Sequence, residues 1–228
     1  MTLTYDPRRE APLHRRRRTA LSVAAALIAA GPLLTACGSD AHPGAAAVVG
    51  GDRIEVTALQ AQVRDVRTAQ QASPQGEMLI KDTGDLNREK LNGMIFDRIV
   101  EKVAADAGVT ASRKEVQQTR RDAAQQSGGD EQLTAMLLQQ QGIAPDEVDG
   151  VIRRNVLMNK IAEKHGITNT PEGQKKLTDL FSAASKALKI EVNPRYGSWD
   201  NDRIQLGRYS APWIRQLTRD AEPVPTGM

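Results

Sequence analysis

The sequence is poor in cysteine and in aromatic residues. Cys37 is the only cysteine among 228 residues, so no disulfide can form within the chain. The aromatic residues are two Phe, two Trp and three Tyr, seven in all. A domain with this composition must fill its interior mainly with Ala, Leu, Val and Ile, which suits helices packed through small side chains. We therefore expect a modest core for a chain of this length.

Histidine is also scarce, and this argues against an enzyme. The three histidines, His14, His42 and His165, lie far apart in the sequence. No cluster of His, Cys and Asp has the spacing of metal ligands, and acid–base catalysis needs partners within hydrogen-bond reach. His165 lies at the end of a predicted helix, where an imidazole interacts favourably with the last carbonyl groups. We therefore expect no enzymatic activity, no metal and no cofactor.

The first 36 residues have the features of an export signal. Six arginines precede a mostly apolar run at 20–34, which contains one glycine and one proline. A basic start, a short apolar segment and small residues at the end are typical of a secretory signal, and the run is marginal for a membrane-spanning helix. We predict that residues 1–36 are removed by cleavage between Ala36 and Cys37.

The stretch Leu34-Thr35-Ala36-Cys37 resembles the lipobox of bacterial lipoproteins. In that family a diacylglyceryl group is attached to the cysteine thiol, which then becomes the first residue. The resemblance implies a protein anchored by acyl chains, such as palmitate, on the outer face of the cytoplasmic membrane, because two chains anchor firmly where one is marginal. The alternatives are an ordinary secretory signal and an uncleaved anchor. The arginines also weakly resemble a twin-arginine signal, although we expect export of the unfolded chain.

Removal of the signal changes the charge balance. Six of the 31 basic residues and two of the 28 acidic residues precede Cys37, which leaves 25 basic and 26 acidic residues. The sequence pI of about 9.1 therefore arises largely from the signal. A nearly neutral mature chain gives no electrostatic support for binding nucleic acid.

A tether and a small hairpin follow the cysteine. Residues 37–44 are small and polar and form a flexible tether. An apolar run at 45–49, a glycine-rich turn and an alternating run at 53–56 then predict a hairpin. The glycines lack the spacing and the lysine of a phosphate-binding loop, so we interpret them as a turn.

Hydrophobic periodicity predicts six helices in the remainder of the chain. Apolar residues recur at intervals of three and four within each of them. The predicted helices span residues 57–72, 87–107, 112–126, 131–141, 145–165 and 170–188. Residues 73–85 contain proline and two glycines and are predicted to form a loop. Residues 189–192 alternate as a strand does.

Capping patterns mark several of the predicted helix starts. Thr57 with Gln60, and Ser112 with Glu115, have the spacing of a capping box, and Asn87 can cap the longest helix. The helix predicted at 145–165 begins with three acidic residues, Asp146, Glu147 and Asp149. We interpret these carboxylates as partners of the helix dipole rather than as a catalytic site.

Aromatic residues are concentrated near the C-terminus. Tyr196, Trp199, Tyr209 and Trp213 all follow the last predicted helix. We expect Tyr196 and Trp199 to close the core against the N-terminal hairpin. The alternative is that these two side chains line an apolar groove that binds client peptides. The methionines offer the same two alternatives, because methionine adapts to varied apolar partners.

The order of these elements resembles the N-terminal module of SurA-like and PrsA-like folding factors. The resemblance covers roughly residues 46–200. It lies in the strand–turn–strand Val48-Val49-Gly50-Gly51-Asp52-Arg53-Ile54, the helix from Leu91 to Val109, the helix start Ser112-Arg113-Lys114-Glu115-Val116, the paired helices at 133–142 and 147–161, and the closing segment Glu191-Val192-Asn193-Pro194-Arg195-Tyr196-Gly197-Ser198-Trp199-Asp200.

The resemblance implies a mainly α-helical, SurA N-terminal-like fold of about six helices, with a small N-terminal hairpin closed by a C-terminal strand. Many members of the family carry a parvulin-type prolyl isomerase domain between the last two helices. Here His165 and Thr170 leave no room for one. The implied function is binding of unfolded, exported polypeptides without isomerisation.

Two functions of different classes follow from these observations. The first is a lipid-anchored, extracytoplasmic, chaperone-like protein whose partners are unfolded or newly exported polypeptides. The second is a scaffold lipoprotein that binds one specific folded partner. The expected organisation is a signal at 1–36, a lipidated tether at 37–44, a helical domain at 45–200 and an extension at 201–228 whose end we expect to be disordered.

Overall fold

The computed structural model describes residues 43–208 of the chain. The predictions for the signal, for Ala36 and Cys37 and for most of the tether lie outside the described residues. Tyr209, Trp213 and the predicted disordered end also lie outside them. Within the described range, no helix combines the length and the apolar character that are needed to cross a membrane.

A three-stranded sheet joins the two ends of the described chain. Strand β1 (Ala45–Val49) lies between β2 (Asp52–Glu55) and β3 (Glu191–Val192), and both pairings are antiparallel. Gly50 and Gly51 form the β1–β2 turn with φ of 62° and 90°, a region that favours glycine. All of β1 is buried. The predicted hairpin and closing C-terminal strand are therefore confirmed.

Seven α-helices make up most of the described residues. They are α1 (Val56–Ala72), α2 (Gly76–Asp82), α3 (Leu86–Ala107), α4 (Arg113–Ser127), α5 (Asp130–Gln141), α6 (Val148–Lys164) and α7 (Pro171–Ala187), with a 3-10 turn at Pro145–Glu147 before α6. The expectation of a mainly helical domain is confirmed. The helix count exceeds the prediction of about six by one.

The additional helix is α2, in the segment that was predicted to be a loop. It is held by side chains of α1 rather than by its own pattern. Arg67 donates to the carbonyl oxygens of Ile80 and Thr83, at 3.2 and 2.7 Å. Leu79 and Gln70 are buried, and the Gln70 amide donates to the Leu79 carbonyl. These tertiary hydrogen bonds satisfy the end of a helix that is too short to form alone.

The predicted caps had mixed outcomes. Ser112 and Glu115 form the predicted capping box at the start of α4. Thr57 does not cap, because α1 already begins at Val56, and the Gln60 amide instead donates to Asn87 Oδ1 at 2.8 Å. Asn87 does not cap α3, which starts one residue earlier. Both predictions were wrong because each helix begins one residue earlier than predicted, and the side chains of Gln60 and Asn87 link the two helices instead.

Helix α3 is the centre of the core. Its most regular apolar series, Leu91, Ile95, Ile99 and Val103, is buried and packs in one cluster with β1, α6 and α7. A second cluster lies between α4, α5 and α6, and a third joins α1 to Leu138 and Ala144. The interior is therefore divided among three groups of aliphatic side chains, as the scarcity of aromatic residues suggests.

A second hairpin extends the body past residue 200. Strands β4 (Ser198–Asp200) and β5 (Gln205–Gly207) pair antiparallel. Leu206 is buried in the main core, and its N–H donates to Asn92 Oδ1 on α3 at 2.8 Å. The expected end of the domain at residue 200 therefore falls inside this hairpin. The sequence signal was weak, because each strand has only three residues.

Candidate functional site

A cleft of about 390 Å³ lies between α3 and α6. The chain segment before α6 completes one side, and Gln62 of α1 and Gln141 of α5 reach its edge. The α3 residues that line it are Leu86, Glu89, Lys90, Gly93, Met94 and Asp97. The opposite side is lined by Ile143, Asp146, Glu147, Gly150, Val151 and Arg154. Its volume lies within the range of small-ligand pockets.

The apolar part of the cleft is aliphatic. Leu86 and Val151 are buried, and Met94 and Ile143 are half-buried. None of the described aromatic side chains lines the cleft. Methionine is unbranched and polarisable, so Met94 can adapt its conformation to differently shaped apolar partners.

An ion pair lies within the cleft wall. The Lys90 ammonium contacts the Glu147 carboxylate at 2.5 Å, and the whole Lys90 residue is only 7% exposed. The same carboxylate oxygen accepts the N–H of Ala144 at 2.9 Å. Glu147 therefore ties α3 to the 3-10 turn that precedes α6. Glu147 also acts as the acidic partner of a helix start, as the sequence indicated, and its pairing with Lys90 was not predicted.

The rim of the cleft is acidic. Arg154 donates to Asp97 at 2.8 Å, and this pair is balanced. Glu89 and Asp146 are exposed and contact no cation among residues 43–208. Four carboxylates and two cations line the cleft, a formal excess of two negative charges. A ligand with basic side chains would therefore be favoured over an acidic one.

Two glycines hold the cleft open. Gly93 lies in the interior of α3 and Gly150 lies in the first turn of α6. A Cβ at either position would meet no atom within 4 Å. Neither glycine is needed for close helix packing or for a left-handed backbone. Glycine within a helix costs about 0.5–1 kcal/mol relative to alanine, so these two residues reduce stability without a packing reason.

Tyr196 and Trp199 lie elsewhere in the structure. Both side chains are half-buried and pack against the main core. The Trp199 indole N–H donates to Ser185 Oγ at 2.8 Å, and that hydroxyl donates to Asn201 Oδ1 at 2.6 Å. These contacts are those of side chains that close the core, and neither residue lines the cleft.

The sequence prediction missed the residues that form the cleft. One signal of the cleft was available in the sequence, namely Gly93. It lies in the middle of the strongest helical pattern, where the backbone conformation does not require glycine. Gly150 lies at a helix start, where glycine carries little information. The pairing of Lys90 with Glu147 joins residues 57 positions apart, and periodicity cannot reveal it.

Two shallower depressions carry less chemistry. One lies beside the α1–α2 connection and includes Met78, whose residue is 55% exposed. The other lies beside Arg120, which bridges Asp130 on α5 and Asp149 on α6. Hydrogen bonds from both carboxylates raise the pKa of Arg120 above its ordinary value. This arginine is fully engaged in joining helices.

The charged groups of the cleft are mostly engaged with one another. No histidine lines it, and its carboxylates either pair with cations or lie on the rim. No group of three His, Cys, Asp or Glu side chains within residues 43–208 is arranged to hold a metal ion. His165 lies at the C-terminal end of α6, where its carbonyl oxygen accepts from Lys176 Nζ at 2.6 Å.

Fold and cleft together define a mainly helical domain with a cleft between two core helices. The model of the SurA-like N-terminal domain family matches residues 14–162, well over half of the chain, and the chain belongs to this family. The match ends within α6, so the closing segment and the hairpin β4–β5 lie beyond it. No curated protein and no solved structure matches the chain. The family is one of chaperone-type domains that bind polypeptides.

Proposed function

We propose that this protein is a lipid-anchored, extracytoplasmic, chaperone-like protein that binds unfolded or newly exported polypeptides without isomerising them. The observation that carries the proposal is the α3–α6 cleft of a SurA-like N-terminal domain, in which two glycines leave room and four apolar side chains lie among charged and polar ones. Its volume of about 390 Å³ has room for a few side chains of an extended chain.

The composition of the cleft favours weak and reversible binding. The apolar side chains of the cleft contribute about 25 cal/mol for each Å² of apolar client surface that they remove from water. The Lys90–Glu147 pair keeps both of its charges satisfied without the client. Binding therefore needs no rearrangement of buried charges, and release of the client leaves none of them unpaired. A holding chaperone needs such a surface, because its clients must leave it in order to fold.

The anchor rests on the sequence around Cys37. Acylation of its thiol after cleavage behind Ala36 would place the body on the outer face of the cytoplasmic membrane, at the end of the tether 37–44. A Cys37→Ser variant should lose lipid labelling and leave the membrane fraction. Labelling that persists in this variant, or unchanged partitioning into detergent, would refute the anchor.

The absence of isomerase activity is supported by the connection between the last two helices. Helix α6 ends at Lys164 and α7 begins at Pro171, so six residues separate them. That length cannot contain an isomerase domain of the kind that many relatives carry at this point. A refolding reaction limited by proline isomerisation should therefore keep its rate when the protein is added. Acceleration of this reaction would show enzymatic activity.

The binding proposal is tested with the chain from residue 38 onward, whose described core is formed entirely within residues 45–206. We expect it to delay aggregation of an unfolding client and to bind unfolded peptides in titrations. Gly93→Leu fills the cleft and should weaken both effects. Gly84→Leu is the matched control, because a Cβ at Gly84 also meets no atom within 4 Å but lies outside the cleft.

Equal client binding by the two leucine variants would refute the assignment of the cleft. An absence of client binding by the unaltered chain would refute the proposed function itself. The scaffold alternative predicts a different result, namely one specific folded partner in pull-downs and no general holding activity.

A further inference from the structure

We propose that Glu89 and Asp146 make the α3–α6 cleft selective for polypeptide segments in which basic side chains flank aliphatic ones. The inference rests on the proposed function, because it names the class of client that the same cleft takes. Three observations carry it: which charges of the cleft are already paired, where the other charges lie, and how these are spaced from the two glycines.

Both cations of the cleft are already paired with carboxylates of the protein. The Lys90 ammonium contacts the Glu147 carboxylate at 2.5 Å, and the Arg154 guanidinium donates to Asp97 at 2.8 Å. A client carboxylate could bind either cation only by breaking one of these pairs. Breaking the first would leave a charge buried without its partner, because Lys90 is almost fully buried. The cleft therefore has no cation that an acidic client could bind without such a loss.

The two other charges of the cleft are both negative. Glu89 and Asp146 are exposed, and neither contacts a cation among residues 43–208. Glu89 belongs to the first turn of α3, and Asp146 belongs to the 3-10 turn on the opposite side of the cleft. A basic client side chain can pair with either carboxylate without breaking a contact of the fold. An acidic one is repelled by both, and such repulsion contributes to specificity as much as attraction does.

Each of these carboxylates lies four positions before one of the two glycines of the cleft. Glu89 precedes Gly93 within α3, where residues four apart share a face and lie about 6 Å apart along the axis. Asp146 precedes Gly150 by the same number of positions at the start of α6. A Cβ would meet no atom within 4 Å at either glycine. The space for a client side chain therefore lies beside a negative charge on both sides of the cleft.

An extended client matches this spacing. Alternate side chains of an extended chain point to the same side and are about 6.5 Å apart. An aliphatic client side chain can pack on Met94 or Val151, the neighbours of the two glycines in sequence. The residue two positions along the client then lies near the level of a rim carboxylate. Lysine and arginine suit that position, because their stems pack on apolar surface while the charge stays in water.

The expected selectivity is moderate, because both carboxylates are exposed. One solvent-exposed ion pair changes an equilibrium constant by about 1.5- to 5-fold. Two such pairs should therefore give a preference of about tenfold. The preference should nearly disappear at 1 M salt, where the screening length falls to about 3 Å.

The test titrates three fluorescently labelled peptides onto the chain from residue 38. All three have an aliphatic residue at every fourth position, and the residue midway between two of these is lysine, serine or glutamate. At low salt we expect the lysine peptide to bind about tenfold more tightly than the serine peptide, and the glutamate peptide to bind more weakly than both. Glu89→Gln with Asp146→Asn should bring the lysine peptide to within about twofold of the serine peptide.

Two controls separate selection from general effects. Binding of the serine peptide should be the same in the unaltered chain and in the double variant, which shows that the cleft is intact. Asp65→Asn with Glu163→Gln removes the same amount of charge from exposed positions outside the cleft and should keep the full preference for lysine.

The inference is overturned if the unaltered chain binds the lysine and glutamate peptides equally, if the preference persists without the two rim carboxylates, or if the control variant loses it as well. It is also overturned if the rim variant binds the serine peptide much more weakly, since the carboxylates would then shape the cleft rather than select its client. Binding of the serine peptide without any charge preference would leave the chaperone function standing. Failure of all three peptides to bind would refute the proposed function itself.

Discussion

The two sides of helix α3 are built differently. The side facing β1, α7 and β5 is filled, and Phe96 stacks on Phe181 there with ring centroids 5.8 Å apart. The side facing the start of α6 opens into the cleft and carries Gly93 where the filled side carries large side chains. One helix thus serves both as the centre of the core and as a wall of the candidate binding site.

The distribution of aromatic residues follows the same division. Phe96, Phe181, Tyr196 and Trp199 all pack on the main core, and none lines the cleft. A chain with so few aromatic residues places the described ones where they close the fold. The cleft instead contains glycine, methionine and aliphatic residues. The filled side is therefore expected to determine stability, and the open side to determine binding.

The largest expected effect comes from breaking the filled side. Phe181→Ala removes a buried ring from the main core and should lower the free energy of unfolding by about 3–5 kcal/mol. The measurement is denaturant unfolding followed by circular dichroism. Leu180→Ala on the same helix is half-buried and should cost clearly less. A Phe181→Ala variant as stable as Leu180→Ala would show that α7 is not part of the core.

The second effect comes from the ion pair in the wall of the open side. Glu147→Gln keeps an oxygen for the Ala144 N–H but leaves the Lys90 ammonium buried without a counter-charge. We expect a loss of about 3 kcal/mol in the free energy of unfolding. Adding Lys90→Met removes the stranded charge and should restore more than half of that loss. A double variant no more stable than Glu147→Gln would contradict the assigned role of the pair.

Hydrophobic periodicity and turn signals in the sequence predicted the filled side of α3 well and its open side poorly. The four-residue repeat of Leu91, Ile95 and Ile99 identified α3 and its buried face, and β1 and β2 followed from an apolar run and a glycine turn. The cleft depends on pairings between distant residues, such as Lys90 with Glu147, and on the absence of side chains. Helix α2 was missed for the same reason, because Arg67 on another helix holds it.

The third effect should have opposite signs for stability and binding. Gly93→Ala and Gly150→Ala each add a methyl group that meets no atom within 4 Å. Each should raise the free energy of unfolding by about 0.5–1 kcal/mol, because alanine loses less conformational freedom than glycine in a helix. Each should also weaken peptide binding, because the methyl group narrows the cleft. Paired unfolding and titration measurements check both signs.

A gain in stability with unchanged binding would indicate that the cleft is not the binding surface. A loss of stability would mean that these glycines are required by the fold, and the contrast between the two sides of α3 would then fail.

The smallest expected effect is on stability at low pH. It comes from the capping box of Ser112 and Glu115 at the start of α4, which lies on neither side of α3. Hydrogen bonds from Lys160 and from the Ser112 backbone and hydroxyl lower the pKa of Glu115 from 4.5 to about 2. A carboxylate with a lowered pKa stabilises the folded state above pH 4.5, and this contribution is lost as the pH falls towards 2. Glu115→Gln should therefore flatten the decline of stability over this interval.

Unfolding at a series of pH values, with and without this substitution, measures the effect. Peptide binding at pH 7 should stay unchanged, because Glu115 lies outside the cleft. An acid profile identical to that of the unaltered chain would show that the capping box contributes nothing.

The central claim is that unfolded polypeptides bind on the open side of α3. The most direct measurement is the change in backbone amide chemical shifts when an unfolded client peptide is added to the labelled protein. Gly93 and Gly150 line the cleft, whereas Gly50 in the β1–β2 turn and Gly197 just before β4 lie outside it. The account predicts saturable shifts at Gly93 and Gly150 and no change at the other two. Shifts confined to Gly50 and Gly197, or a client that binds without perturbing the cleft, would contradict it.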